Sequence, residues 1–390
     1  MLKPRNIWHK ALDFLPRAGF HFDRPLVLLQ SDDWGRVGVR DCEGLEQLRE
    51  AGLILGERAY DFYTLETAED VGALLQTLKC HRDSAGRLPC LEMNFVQANL
   101  DFARMEAENF REIYLLPLPD GLPRGWNRPG LFQAYKDGVA SGAFHPALHG
   151  TTHFCRRAAE RQLKGGERGE LLRTLWQAGT PYIYWRMPWI GYEYYDSESS
   201  GEPFLTAEEQ AGLIGQAVGW FSRMFSRLPH SACAPGYRAN GDTNRAWGQY
   251  GVNAAQNGPG VFTPPHFAGD EVLQLYRNVE FEPAVHGQFS IDDCMRRTEE
   301  CFDRGLPAIV SLHSINFHSS VRDFRSRTLV LLDQFFSALE AKYSALLYVH
   351  DRELFQLVQH GQFETAQGRV QVRVTKQKFR LAALVHGVEA

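Results

Sequence analysis

The sequence predicts an α/β fold with a largely parallel sheet, open or closed into a barrel. Short apolar runs recur along the 390 residues, segments of helical period lie between many of them, and no proline- or serine-rich linker divides the chain. The runs at 25–31, 91–97, 143–148, 182–186, 231–234, 252–256, 307–312 and 345–349 read as strands. Helical periodicity marks 41–52, 206–225, 290–304 and 324–342, the last with Leu329, Leu332, Phe335, Phe336 and Leu339 on one side. No repeat at solenoid spacing interrupts this alternation, which favours one domain with insertions. From 361 onward, Arg369-Val-Gln-Val-Arg-Val-Thr alternates at period two and predicts an accessory hairpin or edge strand.

Composition narrows the function classes. A hydrophobic share of 44% with 23% charged residues suits a globular core, and a formal charge of −5 with mixed signs leaves no basic stripe for nucleic acid. A small or weakly charged ligand fits better. Seven cysteines, an odd number without a Cys-x-x-Cys pair, argue against a disulfide framework or a zinc ribbon. No long apolar stretch opens the chain or spans a bilayer, so a cytoplasmic location is expected. Trp8, Leu12, Phe14, Leu15 and Phe20 could lie on a membrane surface as a peripheral contact, although Asp13 and Pro16 interrupt that face.

Chemistry concentrates at a few positions. Asp32 and Asp33 close the first apolar run and lead into the turn Trp34-Gly35, while His149 and His153 stand four apart in His149-Gly-Thr-Thr-His153. Two histidines and one carboxylate make a three-ligand shell that leaves a position for water or substrate. A second, unligated carboxylate beside it can serve as general base. Neighbouring side chains on an extended strand point to opposite faces, so the two aspartates must be made to converge, and the turn at Trp34-Gly35 offers a way. His145, at the same interval, extends the series, but Pro146 and Gly150 oppose a continuous helix. That leaves 143–148 as a strand end, His149 on the following loop and His153 near a helix start.

Asp32-Asp33 followed by His149-x-x-x-His153 resembles the polysaccharide deacetylases with the NodB-homology domain, whose first motif contains Asp-Asp and whose second is His-x-x-x-His. The resemblance implies a (β/α) barrel, distorted and seven-stranded, spanning 25–360 after an extension at 1–24. An insertion at about 40–140 would fill the long interval between the first two motifs, and a β tail would occupy 361–390. It implies Asp33, His149 and His153 as metal ligands and Asp32 as base. Ala234-Pro-Gly-Tyr-Arg-Ala-Asn240 resembles the third motif, where an arginine normally orients the catalytic aspartate; here Cys233 stands near that place, leaving Arg238, or else Arg186, for the role. Pro307-Ala-Ile-Val-Ser-Leu-His313 resembles the last motif and makes His313 the general acid.

Trp34, Trp189, Tyr192, Tyr237 and Asn316 are the candidate substrate contacts, the aromatic rings by stacking on sugar faces. Tyr182 and Tyr184 are assigned to core packing. Glu92-Met-Asn-Phe95 and Asn127-Arg-Pro-Gly130, within the expected insertion, could line the cleft or an interface. The expected reaction is hydrolysis of an N-acetyl group on an amino sugar, polysaccharide or glycolipid precursor, by water activated at a divalent metal. Zinc suits the His-His-Asp shell best; cobalt, nickel, iron or manganese could also be accepted. Two other readings remain: a glycoside hydrolase on a related barrel, or a noncatalytic carbohydrate-binding protein. The sequence leaves the oligomeric state open.

Overall fold

The structure is a computed structural model describing residues 17–260, 262–268, 272–366 and 368–379. Sixteen strands run through these residues. In chain order they are β1 (Arg17–Phe22), β2 (Leu26–Trp34), β3 (Leu91–Phe95), β4 (Ala98–Leu100), β5 (Leu115–Pro117), β6 (Phe144–Leu148), β7 (Ser231–Cys233) and β8 (Ala254–Pro259). Then follow β9 (His266–Phe267), β10 (Leu273–Arg277), β11 (Val279–Glu280), β12 (Ala308–His313), β13 (Leu347–Tyr348), β14 (Gln362–Thr365), β15 (Gly368–Gln371) and β16 (Val374–Phe379).

The main sheet has the order β11-β12-β2-β3-β6-β7-β8-β10-β9-β1-β16, and every pair from β11 through to β10 is parallel. Only Asn278 separates β10 from β11, and the chain changes partners across it. β10 pairs with β8, β11 pairs with β12, and the Asn278 amide donates to the Ile309 carbonyl at 3.0 Å. The two sides of the sheet therefore meet at one bent strand, and seven positions close around an axis. This is the distorted (β/α) barrel expected of the chain. Leu26-Val-Leu-Leu29 is buried on both faces, as a parallel strand sandwiched by helices and neighbours requires.

The interior is polar because alternate residues face the axis. Gln30 and Asp32 on β2, Glu92 and Asn94 on β3, Ser231 and Cys233 on β7, Gln256 on β8 and Arg277 on β10 are all buried and joined by hydrogen bonds. Apolar side chains lie between the strands and the surrounding helices, where Leu29, Trp34, Leu74, Leu91, Phe95 and Phe144 share one core.

Several expectations change. Residues 182–186 form no strand: Tyr184–Arg186 is a single 3-10 turn, and Pro188, without an N–H, opens the next one. The span 40–140 is not an insertion throughout, since it supplies β3, a central barrel strand between β2 and β6. What it adds beside the barrel includes the helices Cys42–Glu50 and Ala68–Lys79 and the two-stranded β4-β5 ribbon. Within the expected extension, β1 joins the sheet, pairing antiparallel with β16 over six residues. The tail forms both a β14-β15 hairpin and that edge strand. Trp8, Leu12, Phe14 and Leu15 lie outside the described residues. No helix among those described is long and apolar enough to cross a membrane. Every cysteine is unpaired.

Candidate active site

β2 delivers both aspartates, and its backbone solves the problem of aiming them together. Asp33 has φ 75°, a left-handed conformation that is uncommon for a non-glycine residue, and the β2–β3 register breaks between Ser31 and Trp34. The reorientation thus occurs at Asp33 itself, one residue before the expected turn. The residue is held there through both its side chain and its backbone. Arg36 Nη2 donates to Asp33 Oδ2 at 3.1 Å, and Tyr63 Oη donates to the Asp33 carbonyl at 2.7 Å.

Asp33 Oδ1 is left facing His153 Nε2 at 3.3 Å and His149 Nε2 at 3.5 Å. His149 follows β6 on a loop, its amide bonded to the Phe95 carbonyl. Its Nδ1 lies 2.9 Å from the Cys233 carbonyl, which can only accept, so Nδ1 carries the proton and Nε2 presents a lone pair. His153 Nδ1 meets Tyr182 Oη at 2.6 Å, and that hydroxyl also takes an N–H of Arg36. Tyr182 therefore belongs to the site as well as to the core.

Asp33 Oδ1 and His149 Nε2 are buried without a hydrogen-bond partner. Orphaned buried acceptors facing one another are costly unless a cation lies between them. Ligands at the usual zinc distances around a tetrahedral centre are about 3.3–3.5 Å apart, which matches the separations found. The three residues fit a divalent metal. They also make a cluster whose ligand-type atoms all lie within 4.8 Å of one another.

Asp32 occupies a different environment. Arg277 clamps it in bidentate fashion, Nη2 to Oδ1 at 2.6 Å and Nη1 to Oδ2 at 2.8 Å, and Asn94 Nδ2 adds a bond to Oδ1 at 2.6 Å. Burial alone would raise this carboxyl, but the Arg277 charge, with His149 and His313, holds it well below the usual range. The arginine paired with Asp32 is therefore Arg277, at the end of β10, and not Arg238 or Arg186. Arg186 pairs with Asp61 at 2.9 Å, while Arg238 lies over the rings of Tyr195 and Tyr192 at 5.2 and 5.9 Å.

His313, the last residue of β12, points Nε2 at Asp32 Oδ2 from 3.8 Å and bonds Glu282 Oε1 through Nδ1 at 2.7 Å. Burial pulls its pKa down, but the Glu282 charge and hydrogen bond outweigh that and push it up to about 9. Asn316 is fully buried, donating to Glu282 Oε2 at 2.6 Å, so it orients Glu282 and is no substrate contact.

The other proposed contacts divide. Trp34 is fully buried, bonded to Ser31 and stacked on Phe317; Trp189 is buried with Arg168 over its ring. Neither reaches the mouth. Tyr237 is partly exposed and its hydroxyl takes a bond from Arg277 Nη1 at 2.9 Å. Tyr192 stands beside His153 with ring centroids 5.8 Å apart, its hydroxyl 3.0 Å from that of Tyr184. Trp185, 39% exposed, and Tyr60 extend this wall toward His313. His145 is one layer below, bonded to Glu92 and stacked on His350.

Sequence reasoning missed Arg277, Glu282 and Arg36, and named Asn94 only as part of a segment that could line the cleft, not as a partner of Asp32. The alternation Leu273-Gln-Leu-Tyr-Arg277 was a signal for β10 and for an arginine at its end.

No protein-family model and no curated protein matches the chain. Among solved structures it is similar to a Mycobacterium smegmatis protein assigned as a polysaccharide deacetylase, with 11% identity, 89% of this chain and 95% of that one covered, and a TM-score of 0.49. It is also similar to a CE4 family pseudoenzyme from Bacillus anthracis, at 11% identity, 85% and 66% coverage and a TM-score of 0.38. A 4-alpha-glucanotransferase from Thermococcus litoralis matches at 8% identity, 85% and 40% coverage and a TM-score of 0.46.

Proposed function

We propose that the chain is a divergent polysaccharide deacetylase that hydrolyses the N-acetyl group of an amino sugar, using a divalent metal held by Asp33, His149 and His153. The observation that carries the reading is the convergence of those three ligand atoms beside an arginine-clamped carboxylate and a glutamate-backed imidazole. A divalent ion, with zinc first among the candidates, would polarise the amide carbonyl and acidify water there.

The protein's own residues supply the proton transfers. Asp32 is ionised, and its Oδ2 faces His313, so it accepts the proton of the attacking water. Arg277 and Asn94 keep that carboxylate in one orientation through the step. His313 is protonated at neutral pH and gives the Nε2 proton to the departing amine, while Glu282 fixes the ring through Nδ1. Tyr184, Tyr192 and Trp185 offer ring faces to a sugar, with the buried Tyr60 packed against Tyr184.

A glycoside hydrolase needs one carboxyl that stays protonated near the bond and a second that is ionised. At this mouth Asp32 is clamped and ionised and Glu282 is committed to His313 and Asn316. The carboxyls that burial pushes up are placed elsewhere: Glu92, to about 8, and Asp351, to about 7, lie buried beneath, and Glu193, to about 7, is buried and committed to the Thr151 and Thr152 amides. Deacetylation is the better fit.

The test measures bound metal and acetate release across a panel of N-acetylated sugars, for wild type and His149→Ala. About one metal per chain is expected, with acetate formation abolished by chelator, restored by metal and absent in the variant. A wild-type protein that binds no metal and releases no acetate would refute the proposal.

A further inference from the structure

We infer that Arg238 reads an anionic group, carboxylate or phosphate, on the substrate next to the sugar whose amide is cut. The inference rests on the deacetylase reading for the identity of that amide. Three charge pairs surround the reacting centre: Asp32 with Arg277, Asp33 with Arg36, and Glu282 with His313. Each cation is matched. Arg186, further out, is matched by Asp61 and Glu57.

Arg238 is different. Among the described residues it has no ion-pair partner and no side-chain hydrogen bond, and its Nε is buried without an acceptor. A guanidinium with no acceptor among the described residues is poised for one from outside the chain. Arg238 as a whole is partly exposed, and its two Nη groups, which are not buried, form a fork that takes a carboxylate or phosphate in two parallel bonds.

The group is also held in place before any ligand arrives. Its carbon lies 5.2 Å from the Tyr195 ring centre and 5.9 Å from that of Tyr192, within cation–π range of both. The preceding backbone is unusual: Gly236 and Tyr237 have φ 59° and 57° in succession. That turn sends Tyr237 inward onto Arg277 and sets Arg238 against the Tyr192–Tyr195 wall. A Cβ at Gly236 would collide with the Tyr192 ring, so the loop and the wall pack without slack.

The Tyr192 ring neighbours both His153 and Arg238. The free cation is thus one aromatic ring removed from the metal ligands, along the wall that Tyr184 and Trp185 continue. A sugar stacked on this wall with its amide at the ligands would bring a neighbouring acidic substituent to Arg238.

The experiment compares acetate release from three N-acetylated substrates: a neutral chito-oligosaccharide, an oligosaccharide alternating N-acetylglucosamine with a uronic acid, and a nucleoside-diphosphate N-acetylglucosamine. Wild type, Arg238→Gln and Arg238→Lys are assayed, with thermal unfolding as the control for folding. The wild type is expected to prefer one anionic substrate over the neutral one. Arg238→Gln should lower that preference, as a ratio of kcat/KM values, by about 10- to 100-fold, mainly through KM, and Arg238→Lys should fall between. A preference confined to the uronate identifies a carboxylate, and one confined to the nucleotide sugar a phosphate. A ratio that Arg238→Gln leaves unchanged overturns the inference. Should the wild type release acetate from none of them, the deacetylase reading fails, and calorimetric binding of the same three compounds decides the inference: anionic selectivity lost in Arg238→Gln sustains it, and equal binding of all three overturns it.

Discussion

Asp32 and Asn94 stand two residues beyond Gln30 and Glu92 on the same two strands, yet the two layers treat carboxyl groups in opposite ways. In the upper layer each carboxylate meets a cation: Arg277 for Asp32, Arg36 for Asp33, His313 for Glu282. In the lower layer Glu92 accepts from the Asp351 amide at 2.7 Å and contacts Ser231, while Asp351 accepts from Gln30 at 2.8 Å and Gln256 at 2.6 Å. These are neutral donors, and His145, 3.2 Å from Glu92, is neutral as well because burial pulls its pKa down to about 4. Burial then pushes Glu92 up to about 8, and burial with the nearby Glu92 pushes Asp351 up to about 7. Burial is similar in the two layers, so the counter-ion decides which carboxyl is a base and which is a hydrogen-bonded spacer.

The comparison is broken most severely by removing charge from the upper layer. Asp32→Asn keeps the shape but removes the proton acceptor, and kcat is expected to fall about 10²–10⁴-fold while metal content by mass spectrometry stays at the wild-type value. Loss of metal together with activity would make Asp32 a ligand instead of a base. Removing the counter-ion is the next largest perturbation. Arg277→Met leaves an uncompensated buried carboxylate, for which a loss of about 3–5 kcal/mol is expected in urea unfolding. A change below 1 kcal/mol, on the order expected of an exposed pair, would mean that solvent reaches Asp32.

A milder test concerns His313. With Glu282 in place its pKa is raised to about 9, so the donor form persists until pH rises through that value, and any stability from the pair is fully present below 6.5 and lost by about 9. Glu282→Gln removes the charge that raises it. The basic limb of the kcat/KM profile should then move from about 9 toward the unperturbed value near 6.5, with little change on the acidic side. An unmoved basic limb would assign that limb to a group other than His313.

The two layers also differ in how far the sequence disclosed them. Asp32, Asp33, His149, His153 and His313 were legible because each ends or follows an apolar strand, and a strand end is a position that sequence pattern marks. Their partners were not. Arg277 lies on a five-residue strand whose polar members alternate with Leu273 and Leu275, so it lacks the apolar run by which the other strands were found. Glu282 follows β11, a two-residue strand recognisable only from its pairing with β12. Arg238, or else Arg186, was read as the partner of Asp32 because Cys233 stands near the place of the third motif's arginine and Arg238 lies in the segment resembling that motif. The fold places Cys233 against Asp32 and turns Arg238 away within five residues. The seven-stranded barrel was expected from the resemblance alone; the residue pattern does not mark the closure, because it depends on one strand changing partners at Asn278.

The smallest expected effect comes from the lower layer, and it is a change of slope. Glu92 binds its proton more tightly folded than unfolded, since its pKa rises from 4.5 to about 8. Between those values the folded state carries a proton that the unfolded state has released, so stability is complete below 4.5 and declines as pH rises through about 8. Glu92→Gln is neutral at every pH and can still accept from the Asp351 amide. Its unfolding midpoint should match the wild type near pH 5 and fall less steeply toward pH 8, with the remaining slope carried in part by Asp351, whose raised pKa of about 7 acts in the same direction. Parallel midpoint curves for the two proteins would show that Glu92 is already ionised, which would require a cation in the lower layer and erase the contrast between the two layers.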